Sequence, residues 1–535
     1  MIIDGRNGLP TGWDSPDVCI VGGGAAGLAM ALSFARQGQR RVLVLEMGDE
    51  HYRADVQNGY GGRQTGDRHA PLIRARYAGL GGSTHIWAGW CRPMDAYDFS
   101  ERPWLGMPGW PLMHESLKPW YSRASEVCGL SSDTFGLASV VGDFPGTPLL
   151  ADQRGPEGPL CHPVFHMRRF DFAHAYRQTL AESPTVLIAL NVTALRVVES
   201  HSQSGVMALD AFLGGRSQLI SPGNLVLAAG GLENPRLLLL SRLRNGDIPG
   251  NQGHAVGRYF TEHGFADPGW FIPADPRRDM RFYFPANPPA KGRAARFMTG
   301  SVRRPVLSLS EAHLRNEQLL NAILYFYPAY ECHEDFSHPA VHSALELWEV
   351  VKGRAVPAAL GADIRRALSA PHRVLHALWR QRFVSGPQAR WRLRVYFECV
   401  PHPDNRIVLD TDKDAWGRPR THLHWRLQEA DLDSIHRYCL SLDSLLRKNG
   451  EGHLVLPESP EAWRNITECG KHPMGATRMA SSAEEGVVDS DCRVFGTRNL
   501  YVAGSSVFPT VGYANPTLTL VALSLRLADH LLNTH

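Results

Sequence analysis

The apolar positions along the chain follow two regimes. Asp17 to Glu46 opens with the apolar run DVCIV, passes through GGGAAG, continues as LAMALSFARQG with apolar residues at helical spacing, and closes with RRVLVLE. Continuous run, helical spacing, continuous run predicts a β-α-β unit. Residues 185–198 (TVLIALNVTALRVV) and 224–231 (NLVLAAGG) read as further buried strands of the same sheet, the second entering a helix over GLENPRLLLLSR. From about 253 to 460 the pattern becomes alternating, as in RWRLRVYFECV, RIVLD and THLHWRL. That predicts a mostly antiparallel sheet with helices. The end of the chain returns to the first regime, with NLYVAGSSVFP as a strand and TLTLVALSLRLADHLL as an apolar helix.

The expected fold is therefore α/β with an α+β part. A discontinuous Rossmann-like nucleotide domain takes residues 1–252, with part of the second domain inserted at roughly 90–180, and takes up the chain again over 461–535. The second domain covers 253–460 and includes a basic helical segment over 340–395.

The nucleotide reading rests on Gly22, Gly24 and Gly27, which supply the G-x-G-x-x-G spacing around Ala25 and Ala26. The first glycine allows the turn, the second lets backbone approach a pyrophosphate, and the third lets helix and strand pack closely. The helix beginning near Ala25 would aim its free amides at the phosphates. Glu46, 22 residues after Gly24, is placed to accept from ribose hydroxyls and to repel a 2′-phosphate. Residues 77–90, YAGLGGSTHIWAGW, are dense in Gly and aromatics, which suits close approach to a flat ligand.

Composition narrows the field. With 535 residues, 56 Lys plus Arg against 53 Asp plus Glu and 43% apolar residues, the chain is long enough for a large core. Its net charge of +3 does not favour a nucleic-acid partner. No run approaches the roughly 20 apolar residues of a membrane helix, and the first residues lack a basic start followed by an apolar core. A cytoplasmic protein is expected. The nine cysteines include no CxxC pair and several lie in apolar runs, so they read as buried thiols and not a disulfide frame or zinc site. His422 and His424 alternate on a strand and are read as a packed or solvated pair; no metal site is expected. Residues 352–394 carry ten Lys plus Arg against one acid, Asp363. They read as a solvated helical face, with a lid or a docking surface as the alternatives.

Two C-terminal clusters carry candidate chemistry: KHPMGATRM with His472 and GYANPTLT with Asn515. A histidine beside Pro and Gly can present its ring to a cavity and accept a hydroxyl proton near neutral pH. Asn515 precedes Pro516, which places it at a helix entry.

Together with VGRYFTEH (256–263), DNRIVLD (404–410) and GVVDSDCRVFG, these motifs run in order from about residue 17 to 531. In that order they resemble the glucose–methanol–choline (GMC) flavin oxidoreductases. The resemblance implies FAD as cofactor and a substrate domain whose sheet lies over the flavin. It also implies that Gly22, Gly24, Gly27 and Glu46 hold the ADP part and that Gly82 and Ser83 line the flavin. Val192 would lie near the adenine, and Gly504, Ser505, Asn515, Pro516 and Thr517 near the ring system. His472 matches the catalytic histidine and Asn515 its partner. The implied reaction is oxidation of a CH–OH group, with His472 taking the hydroxyl proton while the carbon-bound hydride passes to flavin N5. Oxygen, a quinone or another carrier would then reoxidise the flavin.

The chain departs from the family pattern at several places. Covalent flavin attachment through His85 would need a shifted loop, since relatives that attach FAD place the histidine one position later; non-covalent FAD is expected. Trp87 stands where many relatives have Asn, Ala476 where Thr is usual, and Gly504 where many have Asp. The THIWAGW loop is most similar to those of pyranose and glycoside oxidase branches, and its aromatics suit a pyranose face. A sugar, glycoside or polyhydroxylated natural product is the expected substrate. The alternatives are a non-sugar alcohol or sterol, or a non-redox lyase of the same fold.

Overall fold

The computed structural model describes residues 1–130, 133–139, 142, 144–150, 158–168, 170–200, 203–284, 302–328, 340–341, 343–344, 347, 360–376 and 389–534. Its central sheet is parallel and six-stranded, in the order Ile2–Asp4, Val186–Leu190, Val42–Leu45, Val18–Val21, Asn224–Leu227, Leu500–Val502. Strands from both ends of the chain thus lie in one sheet. Every residue of Val18–Val21, Val42–Leu45 and Val186–Leu190 is buried, which is why these segments read as unbroken apolar runs. Helices Ala25–Gln37 and Thr517–Asn533 pack on one another, and Thr517–Asn533 also packs on helix His114–Val127.

Two differences from the sequence reading have clear causes. Ile2–Asp4 forms an edge strand paired with Ile188–Leu190, although three residues are too few to show a period. The apolar stretch 185–198 does not stay in one sheet. Asn191 takes a left-handed conformation (φ +58°), a turn that asparagine tolerates. Thr193–Glu199 then leaves for a separate three-stranded antiparallel sheet with Met207–Leu213 and Arg216–Ile220.

A second, antiparallel sheet contains Ala322–Pro328, Trp391–Glu398, His263–Pro273 and Gly452–Val455, with Thr467–Glu468 also pairing to His263–Pro273. Trp391–Glu398 alternates buried and half-buried positions, as its sequence alternation predicts. Helix Glu429–Lys448 covers this sheet, and its start is closed by a capping box between Gln428 and Asp431. Trp90–Cys91, Val164–Met167 and Val302–Pro305 pair in a small sheet of their own.

No helix of the described residues is long and apolar enough to cross a membrane. Eight cysteines lie in the described residues, and all eight are free. His422 and His424 pack with tilted rings whose centres lie 4.0 Å apart, and both contact the Thr65 hydroxyl. Within the basic stretch 352–394, residues 352–359 and 377–388 lie outside the described residues.

Candidate functional site

The Val18–Val21 strand ends at Gly22, whose φ is +114° and where a Cβ would lie 2.5 Å from the Ala228 carbonyl oxygen. Only glycine lets the turn pass that close to the neighbouring strand. Helix Ala25–Gln37 starts at once, with Gly24 at its N-cap and no side chain satisfying its first amides. Those amides and the positive end of the helix dipole form an anion site. A Cβ on Gly27 would lie 2.0 Å from the Gly22 carbonyl oxygen, so this glycine serves the packing of helix on turn and does not line the cavity.

Glu46 ends the Val42–Leu45 strand. Its two carboxylate oxygens accept from the amides of Gly23 and Gly48, each at 2.8 Å. Burial raises its carboxyl above the usual range, and these amide donors oppose the shift. Each oxygen keeps a lone pair for a ribose hydroxyl.

Gly81 and Gly82 adopt positive φ (+94° and +53°), and the Gly81 amide donates to Gly23 O at 2.7 Å. This fixes the second glycine loop against the first. Ser83 and Trp87 face the cavity. Trp87 is held by donation from its indole N–H to Phe170 O at 3.0 Å and by an edge contact with Phe172. His85 is turned away. Its Nε2 donates to Leu80 O at 2.6 Å and its ring lies 4.5 Å from that of Tyr77.

The last strand, Leu500–Val502, delivers Gly504 (φ +110°) and Ser505 to the same cavity. Ser505 Oγ donates to Pro473 O at 2.7 Å, which ties the histidine loop to the sheet. Helix Thr517–Asn533 begins immediately after Asn515 and Pro516, so a second helix start faces the cavity.

His472 is half-buried. Its Nε2 lies 3.1 Å from Asn515 Nδ2, its Nδ1 3.0 Å from His263 Nδ1, and its backbone amide donates to Glu262 Oε2 at 2.7 Å. Burial first, then His263 and Lys471, hold its pKa well below the ordinary histidine value. The ring is therefore neutral at neutral pH, the state a base needs.

All of these segments border one cavity of about 700 Å³, within the range of ligand sites. Of the residues expected from sequence, Gly22, Gly24, Ala25, Ala26, Glu46, Gly82, Ser83, Trp87, Val192, His472, Gly504, Ser505, Asn515, Pro516 and Thr517 line it. Gly27 and His85 do not.

Sequence reasoning missed a buried charge network on the cavity wall. Arg76 Nη1 donates to Glu233 at 2.7 Å, Arg236 bonds both Glu233 and Asp414, and Arg418 bonds Asp414. Arg76, Glu233 and Arg418 line the cavity. Burial alone would raise Glu233, but Arg236, Arg76 and Arg418 outweigh it and hold the carboxyl at about 2. Three guanidiniums against two carboxylates leave a net positive wall suited to an anionic cofactor. Arg76 Nε is buried without a partner, an unused donor. Gly230, in the LVLAAGG motif, has φ +91° and no atom within 4 Å of a Cβ added to it; its motif was the one available signal. Lys471, next to His472 in the chain, lines the cavity too, as do Tyr396 and Trp90.

Residues 401–524 match the GMC oxidoreductase family, and residues 17–54 match the FAD binding domain family. The C-terminal part of the chain is thus similar to the GMC oxidoreductases, and its start to an FAD binding domain. Over 98% of its length and 96% of the relative's, it is 24% identical to 2-methyl-1,2-propanediol dehydrogenase of Mycolicibacterium austroafricanum. It is 23% identical to 6'''-hydroxyparomomycin C oxidase of Streptomyces lividus, covering 98% and 94%. The fold is similar to that of pyridoxine 4-oxidase of Mesorbium loti, with a TM-score of 0.55, 16% identity and coverage of 97% and 99%.

The cofactor is FAD, and the cavity fits it. Gly24, Gly230 and Gly504 leave a trough that side chains would fill: a Cβ on Gly24 would meet only Gly82 Cα, at 3.9 Å, and one on Gly504 only Ala26 Cβ and Asn234 Nδ2, at 3.9 and 4.0 Å. Glu46 and Val192 border the trough, as do His472, Asn515 and Trp87. Donors, acceptor and glycine trough together match a dinucleotide with a flat ring.

Proposed function

We propose that this FAD-dependent enzyme oxidises a secondary or primary alcohol of a sugar, glycoside or polyhydroxylated natural product to the carbonyl compound, with His472 as the base. The observation that carries the proposal is the approach of His472 Nε2 to Asn515 Nδ2, 3.1 Å apart at the lining of the FAD cavity.

FAD, when bound, accepts the carbon-bound hydrogen with its two electrons. His472 Nε2 takes the hydroxyl proton. Asn515 Nδ2, beside the same nitrogen, donates to the alkoxide oxygen as charge develops on it, and Lys471 adds a cation next to the base. A positioned base of this kind accelerates proton transfer by about 10²–10⁴-fold.

Trp87, Trp90 and Tyr396 all border the cavity. Aromatic faces stack on the apolar face of a pyranose, which supports the sugar class over a compact aliphatic alcohol. Because His85 is bonded to Leu80 O and lies outside the lining, we assign FAD as non-covalent. A reduced flavin bound here would need oxygen, a quinone or another carrier to be reoxidised, and the buried free thiols suit a reducing cytoplasm.

The test is anaerobic. Monosaccharides, glycosides, polyols and simple alcohols are mixed with the flavin-loaded enzyme and the visible flavin absorbance is followed. Bleaching by sugars or glycosides in preference to simple alcohols is expected, after which air or a quinone identifies the acceptor. Bleaching by simple alcohols alone would overturn the substrate class. No bleaching by any of them, with dithionite still reducing the flavin, would overturn the redox reading for these classes and favour a lyase.

A further inference from the structure

His263 is buried to 2% exposure on the strand His263–Pro273, opposite Glu398, and the contacts of its two ring nitrogens differ. Nε2 lies 3.3 Å from the carbonyl oxygen of Val511, and Nδ1 lies 3.0 Å from His472 Nδ1. A carbonyl oxygen can only accept, so Nε2 of His263 carries the hydrogen. In a neutral imidazole the other nitrogen is then a bare acceptor. Two lone pairs cannot face each other at 3.0 Å, so His472 Nδ1 carries a hydrogen and donates it to His263. That leaves His472 Nε2 bare, facing the Asn515 amide, whose N–H donates to it at 3.1 Å.

We propose that His263 is a positioning residue that sets the tautomer of His472, so that the unprotonated nitrogen is the one facing substrate and flavin. This rests on the reading of His472 as the base. The opposite tautomer, with the hydrogen on Nε2, would point a lone pair of His263 at the Val511 carbonyl and would leave the substrate side with no proton acceptor.

The carbonyl at the start of this chain of bonds is itself fixed. Glu398 accepts from the Gly512 amide at 3.1 Å, and its carboxylate is gripped by Arg102, with one contact at 2.8 Å. Gly512 has φ +55° and packs on Asp98, where a Cβ would lie 2.3 Å from the carboxylate. The charged groups facing the two rings are Glu262, Glu398 and Lys471. Burial lowers the pKa of both histidines, so the pair stays neutral, as the bonding pattern requires.

The experiment compares anaerobic flavin reduction in the wild type, His472→Ala, His263→Leu and His263→Gln, all loaded with FAD. A glutamine amide accepts through oxygen and donates through nitrogen, as His263 does. His263→Leu is expected to slow reduction by about 10²-fold at saturating substrate with KM changed less than about threefold, and His263→Gln to recover to within about tenfold of wild type. Wild-type rates in His263→Leu, with His472→Ala slow, would overturn this inference alone. Wild-type rates in His472→Ala would overturn the reading beneath it. Equal losses in the Leu and Gln variants, with flavin content retained, would reduce His263 to packing. Should His263→Leu not fold, the ring ¹⁵N shifts of His472 in the wild type decide, assigned by their loss in His472→Ala: a protonated Nδ1 and a bare Nε2 support the inference, and the reverse overturns it.

Discussion

Gly82 rests directly on Gly24: a side-chain carbon at Gly82 would lie 2.8 Å from the Gly24 Cα. Two loops far apart in sequence thereby close one wall of the cofactor cavity. Gly24 itself has an ordinary extended φ of −84°, and its own Cβ would meet only Gly82 Cα, at 3.9 Å. Gly24→Ala should fold normally and lose flavin, with occupancy at fixed FAD reduced at least about tenfold. Gly27→Ala should instead destabilise the protein by about 1–3 kcal/mol through overpacking against Gly22. Flavin content and urea unfolding measured on both variants check this, and equal flavin loss with equal destabilisation would contradict it.

Arg102 and Glu398 are fully buried and paired. Arg102→Leu leaves a carboxylate with no counter-charge in the interior, beside the loop that fixes Val511. A loss of about 3–5 kcal/mol is expected, read from denaturant unfolding of the flavin-loaded enzyme.

The pH response follows from the sign of the His472 shift. Its pKa lies below the ordinary value and its neutral form is the base, so kcat/KM should be flat near pH 7 and fall only on acidification below the lowered value. Lys471 is one of the groups that lower it. In Lys471→Met the acidic limb should move to higher pH, as a profile between about pH 5 and 8 would show; a shift the other way would contradict the assignment.

The same burial affects stability. His472, His263 and His166 all have lowered pKa values, with burial as the leading cause. Below the unfolded value of about 6.5 the unfolded chain binds protons that the folded one refuses, so stability declines as pH falls. The melting temperature should drop from pH 7 to about 5.5, and more steeply than in the double variant His472→Ala/His263→Gln.

What could be read from sequence was local. Gly22, Gly24, Gly27 and Glu46 sit within one β-α-β unit, where spacing translates directly into geometry. The place of His472 and Asn515 at the cavity was legible because each stands in a short loop motif of its own. His263 was present in the VGRYFTEH motif but carried no sign of its role, since its contact with His472 spans 209 positions and arises only when two strands and a loop converge. The network of Arg76, Glu233, Arg236, Asp414 and Arg418 is hidden for the same reason, because charged residues on separate segments look like surface until the fold buries them. The break at Asn191 was hidden by apolar residues on both sides, which satisfy either sheet.

The most direct test of the account is rapid anaerobic mixing of substrate with FAD-loaded wild type and His472→Ala. If His472 is the base, both proteins bind flavin, the wild type bleaches, and the variant bleaches at least about 10²-fold more slowly. Equal rates would contradict the central claim.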